Sequence, residues 1–127
     1  MRSGVGYDVH AFVIGEILVL GGVQIEHDKG LVGHSDGDAL IHAIIDSILG
    51  AAGLGDIGIH FPSDAPQLEG IASTTLLKKV KEKVESAGYG TIFIDATIIA
   101  QNPRMTPYIS SMKKILSRII EIDNESI

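Results

Sequence analysis

The stretch DALIHAIIDSILGAA, residues 38–52, predicts a helix that packs on a sheet. Its apolar side chains recur at spacings of three and four residues, so they share one face. The opposite face carries Asp38, His42 and Asp46, which lie four residues apart and drift by only ~40° per step around a helix. Gly53 and Gly55 follow the apolar run and are typical of a helix end. The segment therefore predicts one face in the core and one polar stripe.

Shorter patterns on both sides of this helix predict the remaining elements. Residues 2–9 and 91–100 are typical of strands, and EILVLGGVQI, residues 16–25, predicts a β-hairpin broken at Gly-Gly. Residues 28–38 are rich in turn formers, and residues 54–73 form a connection long enough to suggest a functional loop.

Two further helices are predicted in the second half of the chain. One covers about residues 74–87, with Ser73 or Thr74 as its N-cap and Gly88 just after its end. The other has Thr106 as its N-cap and a proline as its first helical residue, and it ends near residue 121. The order of elements indicates an α+β fold: a mixed β-sheet with helices packed on one face, in a single domain over residues 1–127.

Composition excludes several classes of protein. The 127 residues are 45% hydrophobic, which suits a globular domain, and no apolar run approaches the ~20 residues of a membrane span. The net charge of −6 argues against a nucleic-acid surface. With no cysteine there is neither a disulfide framework nor a thiolate metal site.

GYDVHAF, residues 6–12, places an acid and an imidazole on one face of a predicted strand. Asp8 and His10 are two residues apart, so they project together, and Tyr7 points the other way. With His42 from the helix they make a donor set that suits Zn²⁺, and Mn²⁺ or iron would accept the same ligands. Asp38 or Asp46 could orient the His42 ring. From the residues alone, a metal site and a purely structural role both remain open.

GHSDGD, residues 33–38, has two compatible interpretations. Ser35 and Asp38 have the spacing of a capping box, and the free N–H groups of the same helix start would also bind an anion such as phosphate. In GDIG, residues 55–58, Asp56 is either a turn residue bonded to its own backbone or a recognition group for hydroxyls.

Taken together, GYDVHAF, GHSDGDALIHAIIDSILGAAGLGDIGIHFP and DATIIAQNPRM closely resemble the 2-C-methyl-D-erythritol 2,4-cyclodiphosphate synthase family. The resemblance runs from residue 1 to about residue 122. It implies an enzyme of isoprenoid precursor biosynthesis, a phosphorus–oxygen lyase. The substrate would be 4-diphosphocytidyl-2-C-methyl-D-erythritol 2-phosphate, which cyclises to the 2,4-cyclodiphosphate and releases CMP.

The resemblance also implies a role for each matching residue. Zn²⁺ or Mn²⁺ would be held by Asp8, His10 and His42, and a second divalent ion, Mg²⁺ or Mn²⁺, would bridge the substrate phosphates. His34 and Ser35 would contact phosphate at the catalytic centre. Other residues would bind the remainder of the substrate: Asp56 and Gly58 at the methylerythritol hydroxyls, and Ala100, Arg104, Met105 and Thr106 around the cytidine. Phe61 would be a further substrate-binding residue. The cytidine pocket would come from a neighbouring subunit, because the resemblance implies a homotrimer with active sites between subunits.

One segment of the family pattern has no counterpart in these 127 residues. The family continues into a final strand whose Thr and Glu residues hold the diphosphate and the second ion. We expect this segment to follow residue 127; if it is deleted instead, the last strand and the ligand of the second ion are lost. Two other activities remain open: a metal-dependent phosphohydrolase and a zinc-stabilised trimeric binding protein. The expected location is the bacterial cytoplasm, with a plastid-type organelle as the alternative.

Overall fold

Four short strands and four α-helices make up the fold in the computed structural model, which describes residues 1–127. The strands are β1 (Phe12–Ile14), β2 (Leu18–Leu20), β3 (Val23–Ile25) and β4 (Lys29–Leu31). The helices are α1 (Ala39–Ala52), α2 (Ile57–His60), α3 (Ser73–Ser86) and α4 (Thr106–Ile120). Short 3₁₀ turns occur at Pro66–Leu68 and Asn124–Ser126.

The strands form two separate antiparallel pairs. Strand β2 pairs with β3 in the predicted hairpin, with Leu18 opposite Ile25, and the turn at Gly21 and Gly22 takes positive φ angles of 58° and 75°. Strand β1 pairs with β4, which the sequence did not predict. The α+β class is retained, but the prediction of one mixed sheet is wrong, because all the pairing is antiparallel and local.

The strands predicted at residues 2–9 and 91–100 are not strands in this structure, since neither segment forms a hydrogen-bonded ladder. The first segment lies instead against α1. A Cβ added to Gly4 would come 1.9 Å from the Ser47 carbonyl oxygen, and one added to Gly6 would come 1.8 Å from that of Ala43. Gly4 and Gly6 are two residues apart, and the helix residues that they face, Ser47 and Ala43, are four residues apart. Two residues of an extended chain span about the same length as four residues of a helix, so the first segment is extended along α1.

The predicted helices are present, with changes at their starts. Helix α1 has the expected span, with Asp38 as its N-cap and Gly53 in the left-handed conformation at its end. Helix α3 begins one residue early, so Ser73 is its first residue and not its cap. Helix α4 has Met105 at the N-cap position and no side-chain cap, so Thr106 is inside the helix. In both cases the capping prediction is wrong because the hydroxyl does not bond to the helix start.

The core is built around α1, which supplies six of its buried residues. Its apolar face packs on α3, α4 and Ile94 in the larger cluster. A smaller cluster joins both strand pairs to Met112 of α4. None of the helices is both long and apolar enough to cross a lipid bilayer. The burial of α1 fixes the direction of its other face, where His42 lies.

Candidate metal centre

Asp8, His10 and His42 come together beside the first turn of α1. The Asp8 carboxylate oxygen Oδ2 lies 2.7 Å from His10 Nε2 and 3.2 Å from His42 Nδ1. The two imidazole rings have their centroids 5.3 Å apart. Asp8 and His10 are half-buried while Tyr7 and Val9 are exposed, so the segment has the two-residue alternation that the sequence predicted.

The three donors suit a divalent transition-metal ion. One ligand atom from each residue lies within 4.8 Å of the other two, as a single shared ion requires. Two neutral imidazole nitrogens and one carboxylate oxygen form a typical N/O set for Zn²⁺, and Mn²⁺ or iron accepts the same set. All three side chains are partly shielded from water, so ion binding would offset the cost of holding a carboxylate there.

The outer nitrogen of each ring has its own hydrogen-bond partner. His10 Nδ1 donates to the backbone carbonyl of Val32. His42 Nε2 lies 2.9 Å from Ser73 Oγ and 3.0 Å from Ser35 Oγ. Burial lowers the pKa of His42, an effect that the nearby Asp8 carboxylate opposes. Burial therefore favours the neutral imidazole, which is the form that binds a metal.

Asp38 does not orient the His42 ring. Its buried carboxylate accepts hydrogen bonds from the backbone N–H groups of Gly21 at 2.9 Å, Gly22 at 2.7 Å and Ile41 at 3.0 Å. Burial raises the pKa of Asp38 to about 6, although these three N–H groups act in the opposite direction. Asp38 therefore joins the β2–β3 turn to the start of α1, and its proposed contact with the ring is wrong.

Asp46 also acts away from the ring. Its Oδ1 accepts a hydrogen bond of 2.8 Å from the backbone N–H of Ile57, so it holds α2 against α1. The prediction that Asp46 orients His42 is therefore wrong as well. The reason is that Asp46 lies about 6 Å further along α1 than His42, where the Ile57 N–H is its partner.

Ser35 and His34 are neighbours in the loop that precedes α1. The Ser35 hydroxyl contacts His42 Nε2 and does not cap α1, so the capping-box prediction is wrong. The exposed His34 ring has its Nε2 3.4 Å from the carbonyl oxygen of Ala65. Ser35 therefore borders the metal centre, whereas the one hydrogen-bond contact of the His34 side chain is with Ala65.

Three of the predicted substrate-binding residues lie at the start of α2, within it and just after it. Asp56 caps this helix, with its carboxylate accepting from the Ile59 N–H at 3.0 Å, and Gly58 is exposed within it. The side chain of Phe61 is half-buried and packs on the larger core cluster. The turn interpretation of Asp56 thus describes the contact observed within this chain.

A groove of about 1300 Å³ runs along α1 between the first ten residues and residues 89–100. Asp8, His10, Ala100 and Met105 all line it. Arg104 and Thr106 are exposed near the start of α4 and do not line this groove. One chain therefore brings two of the four predicted cytidine contacts into the same groove as two metal ligands.

The sequence analysis missed two residues around the metal centre, Asp36 and Ser73. Asp36 Oδ1 accepts from the Ser73 hydroxyl at 2.5 Å, and its Oδ2 accepts from the Ser73 backbone N–H at 3.0 Å. Ser73 is completely buried, although a serine at a helix start is usually exposed. Asp36 lies inside GHSDGD and could have been singled out there. No local pattern connects it with a serine 37 residues away.

The matching family, relatives and solved structures all indicate one family of proteins. The YgbB family matches residues 1–127. A 2-C-methyl-D-erythritol 2,4-cyclodiphosphate synthase from Clostridium acetobutylicum is 55% identical over 100% of this chain and 82% of its own length. A solved structure of 2C-methyl-D-erythritol-2,4-cyclodiphosphate synthase with CDP bound superposes with a TM-score of 0.92 at 34% identity, over 99% of this chain and 84% of that one. IspF from Plasmodium falciparum, in a CDP complex, gives a TM-score of 0.83 at 34% identity, over 99% and 77%.

Proposed function

This chain belongs to the YgbB family, and we propose that it cyclises 4-diphosphocytidyl-2-C-methyl-D-erythritol 2-phosphate to the 2,4-cyclodiphosphate with release of CMP. The observation that carries the proposal is the convergence of Asp8, His10 and His42, three residues that the motifs single out, within 4.8 Å. Segments 34 residues apart in sequence supply these donors. Convergence of this kind is expected of a site and is not required by the core.

The reaction suits a site that positions one molecule and neutralises its charge. The 2-phosphate and the β-phosphorus belong to the same substrate, so the main task is to hold them close and in line. A Zn²⁺ or Mn²⁺ ion on the three donors would supply Lewis-acid stabilisation of phosphoryl oxygens. Intramolecular attack by a phosphate oxygen needs no nucleophile from the protein.

We assign the remaining contacts by the family motifs. Ser35 borders the donor cluster, and Ser35 and the neighbouring His34 would contact a phosphate there. Asp56 and Gly58 would bind the methylerythritol hydroxyls, and Phe61 would be a further substrate contact. A second ion, Mg²⁺ or Mn²⁺, would bridge the phosphates, because a triply phosphorylated substrate carries more negative charge than one ion neutralises.

We propose a homotrimer in which Ala100, Arg104, Met105 and Thr106 of one subunit complete the site of the next. Support comes from the exposed apolar side chains of the groove segments, among them Val5 at 90%, Tyr7 at 79% and Ile99 at 91%. Exposed apolar surface on this scale is typical of a protein interface. Light scattering should give the mass of three chains, and a monomer at the concentration of the assay would refute this assembly. We also propose a location in a bacterial cytoplasm, which the bacterial source of the relative from Clostridium acetobutylicum supports.

The function is tested by incubating the protein with the diphosphocytidyl substrate, Zn²⁺ and Mg²⁺ and analysing the products by mass spectrometry. We expect CMP and the cyclic diphosphate in equal amounts. His42→Ala should abolish both, whereas Lys79→Ala, on the exposed face of α3, should abolish neither. A linear hydrolysed product would indicate a phosphohydrolase instead. No CMP from a folded, metal-loaded protein would leave only a binding role.

A further inference from the structure

We propose that Ser73, held by Asp36, is a positioning residue that fixes the tautomer of His42 and so presents Nδ1 to the metal. The inference rests on the proposed function only in that Asp8, His10 and His42 hold an ion. It concerns a chain of hydrogen bonds that runs from the metal centre into the start of α3, through a serine and an aspartate with no other assigned role.

The Ser73 hydroxyl donates its hydrogen bond to Asp36. An ionised carboxylate can only accept, and Asp36 Oδ1 lies 2.5 Å from Ser73 Oγ. Asp36 is further held by the backbone N–H groups of Ser73 at 3.0 Å and Asp38 at 3.2 Å. The single proton of the Ser73 hydroxyl is therefore committed to Asp36.

The direction of this bond determines which nitrogen of His42 carries the hydrogen. A hydroxyl whose proton is already donated can offer only lone pairs to its other neighbours. His42 Nε2 lies 2.9 Å from Ser73 Oγ, so Nε2 carries the hydrogen and donates it. In a neutral imidazole the other nitrogen, Nδ1, then has the free lone pair. Nδ1 is the atom that faces Asp8, at 3.2 Å from Oδ2.

Ser35 does not fix the tautomer of His42, although its hydroxyl is also close to His42 Nε2, at 3.0 Å. Its contacts are with His42 and, at 3.4 Å, with Ser73 Oγ, so no carboxylate commits its proton. Ser35 is half-buried, whereas Ser73 is fully buried. Ser73 is thus the acceptor with a fixed direction, and Ser35 can turn its hydroxyl towards a substrate.

His10 gains the same kind of support from the backbone. Its Nδ1 donates to the carbonyl of Val32, which leaves Nε2 for the metal. The two histidines are therefore set in opposite tautomers, one by a carbonyl and one by a serine–aspartate pair. Outer partners of this kind typically contribute about 10–100-fold to metal affinity.

The test is the Zn²⁺ affinity of Ser73→Ala, measured by competition with a chromophoric chelator. We expect the dissociation constant to rise by about 10–100-fold. Ser117→Ala is the matched control, because it also removes a serine hydroxyl bonded inside the protein, at 2.7 Å to the Ile122 carbonyl, but in α4, which supplies none of the three donors. The Zn²⁺ dissociation constant of Ser117→Ala should stay within about threefold of the wild-type value, well below the tenfold change that about 1.4 kcal/mol would cause.

Ser35→Ala and ring NMR separate this proposal from its alternatives. Ser35→Ala should weaken Zn²⁺ binding less than Ser73→Ala does. In the Zn²⁺-loaded wild type, the ¹⁵N spectrum of the histidine rings should show hydrogen on His42 Nε2 and none on Nδ1. Hydrogen on Nδ1, or a folded Ser73→Ala variant with wild-type affinity, would overturn the inference. The ring spectrum uses the wild-type protein, so hydrogen on Nδ1 would overturn the inference even if Ser73→Ala does not fold.

Failure of the proposed function gives a different result. A wild-type protein that binds no Zn²⁺ at all overturns both the metal centre and this inference. Normal Zn²⁺ binding together with the wrong His42 tautomer overturns only the role of Ser73.

Discussion

The buried carboxylate of Asp38 should make the stability of this protein depend on pH in an unusual direction. Asp38 is 0% exposed and connects the β2–β3 turn to the start of α1. Asp38→Asn has nearly the same shape and cannot titrate. The difference in unfolding free energy between wild type and Asp38→Asn therefore isolates the titration of this one group.

The sign follows from the raised pKa. Burial moves the pKa of Asp38 from 3.8 to about 6 in the folded state, so the native protein binds the proton more tightly than the unfolded chain does. The contribution of the protonated acid to stability is complete below about pH 4 and is lost as the pH rises through 6. A difference of ~2 pH units, at ~1.4 kcal/mol each, gives about 3 kcal/mol.

The assay is urea unfolding followed by circular dichroism between about pH 3 and about pH 7, a range that spans both pKa values. A chelator and a constant protein concentration keep metal binding and assembly from contributing. The stability of the wild type relative to Asp38→Asn should fall by about 3 kcal/mol across this range. The stability of Asp38→Ala should have the same pH dependence as that of Asp38→Asn, because neither variant titrates at this position. It should be lower by ~1–3 kcal/mol for each backbone N–H group left without an acceptor.

A pH-independent difference would refute this reasoning. So would a difference that grows as the pH rises. Either result would mean that the three N–H groups outweigh burial and keep the carboxylate ionised throughout.

Three backbone substitutions test the packing and the helix ends. Gly6→Ala should lower both stability and Zn²⁺ affinity, because its Cβ would come 1.8 Å from the Ala43 oxygen; Gly90→Ala, with nothing within 4 Å, should leave both unchanged. Gly50→Ala, within α1 and equally open, should raise the unfolding free energy by about 0.5–1 kcal/mol, and a decrease would contradict the open site. Glu121→Gly should stabilise by about 1 kcal/mol in the same urea assay, because Glu121 has a φ of 64° and its surface ion pair contributes little. A loss of stability would show that the ion pair outweighs the strain.

Features set by local sequence were predicted well. The apolar stripe of α1 required a helix, and the helix occupies the expected residues. The Gly-Gly break required a tight turn, and Gly21 and Gly22 form it. The same holds for Asp8 and His10, whose two-residue spacing places them on one face wherever the chain is extended.

Features that depend on distant partners were not predictable in the same way. Residues 91–100 have the composition of a strand, but composition does not supply a neighbour for their backbone groups, and Ile94 instead donates to the Ser126 carbonyl at 2.9 Å. The serine at the start of α3 matched a helix cap, yet its hydroxyl serves Asp36. The preference of serine for helix starts says nothing about which acceptor is nearest in the folded chain.

The metal centre and the core depend on the same contact between α1 and the first residues of the chain. His42 is on α1, and Asp8 and His10 reach it only because the preceding residues lie directly on the helix backbone. Gly6 permits this approach, since any side chain there would meet the Ala43 carbonyl. The apolar face of α1 meanwhile fixes the helix in the core, so the rotation that buries its isoleucines also directs His42 to the donors. A change that rotates α1 should therefore weaken the core and separate the metal ligands together, whereas a change in Ser73 alone should act only on the ligand it supports.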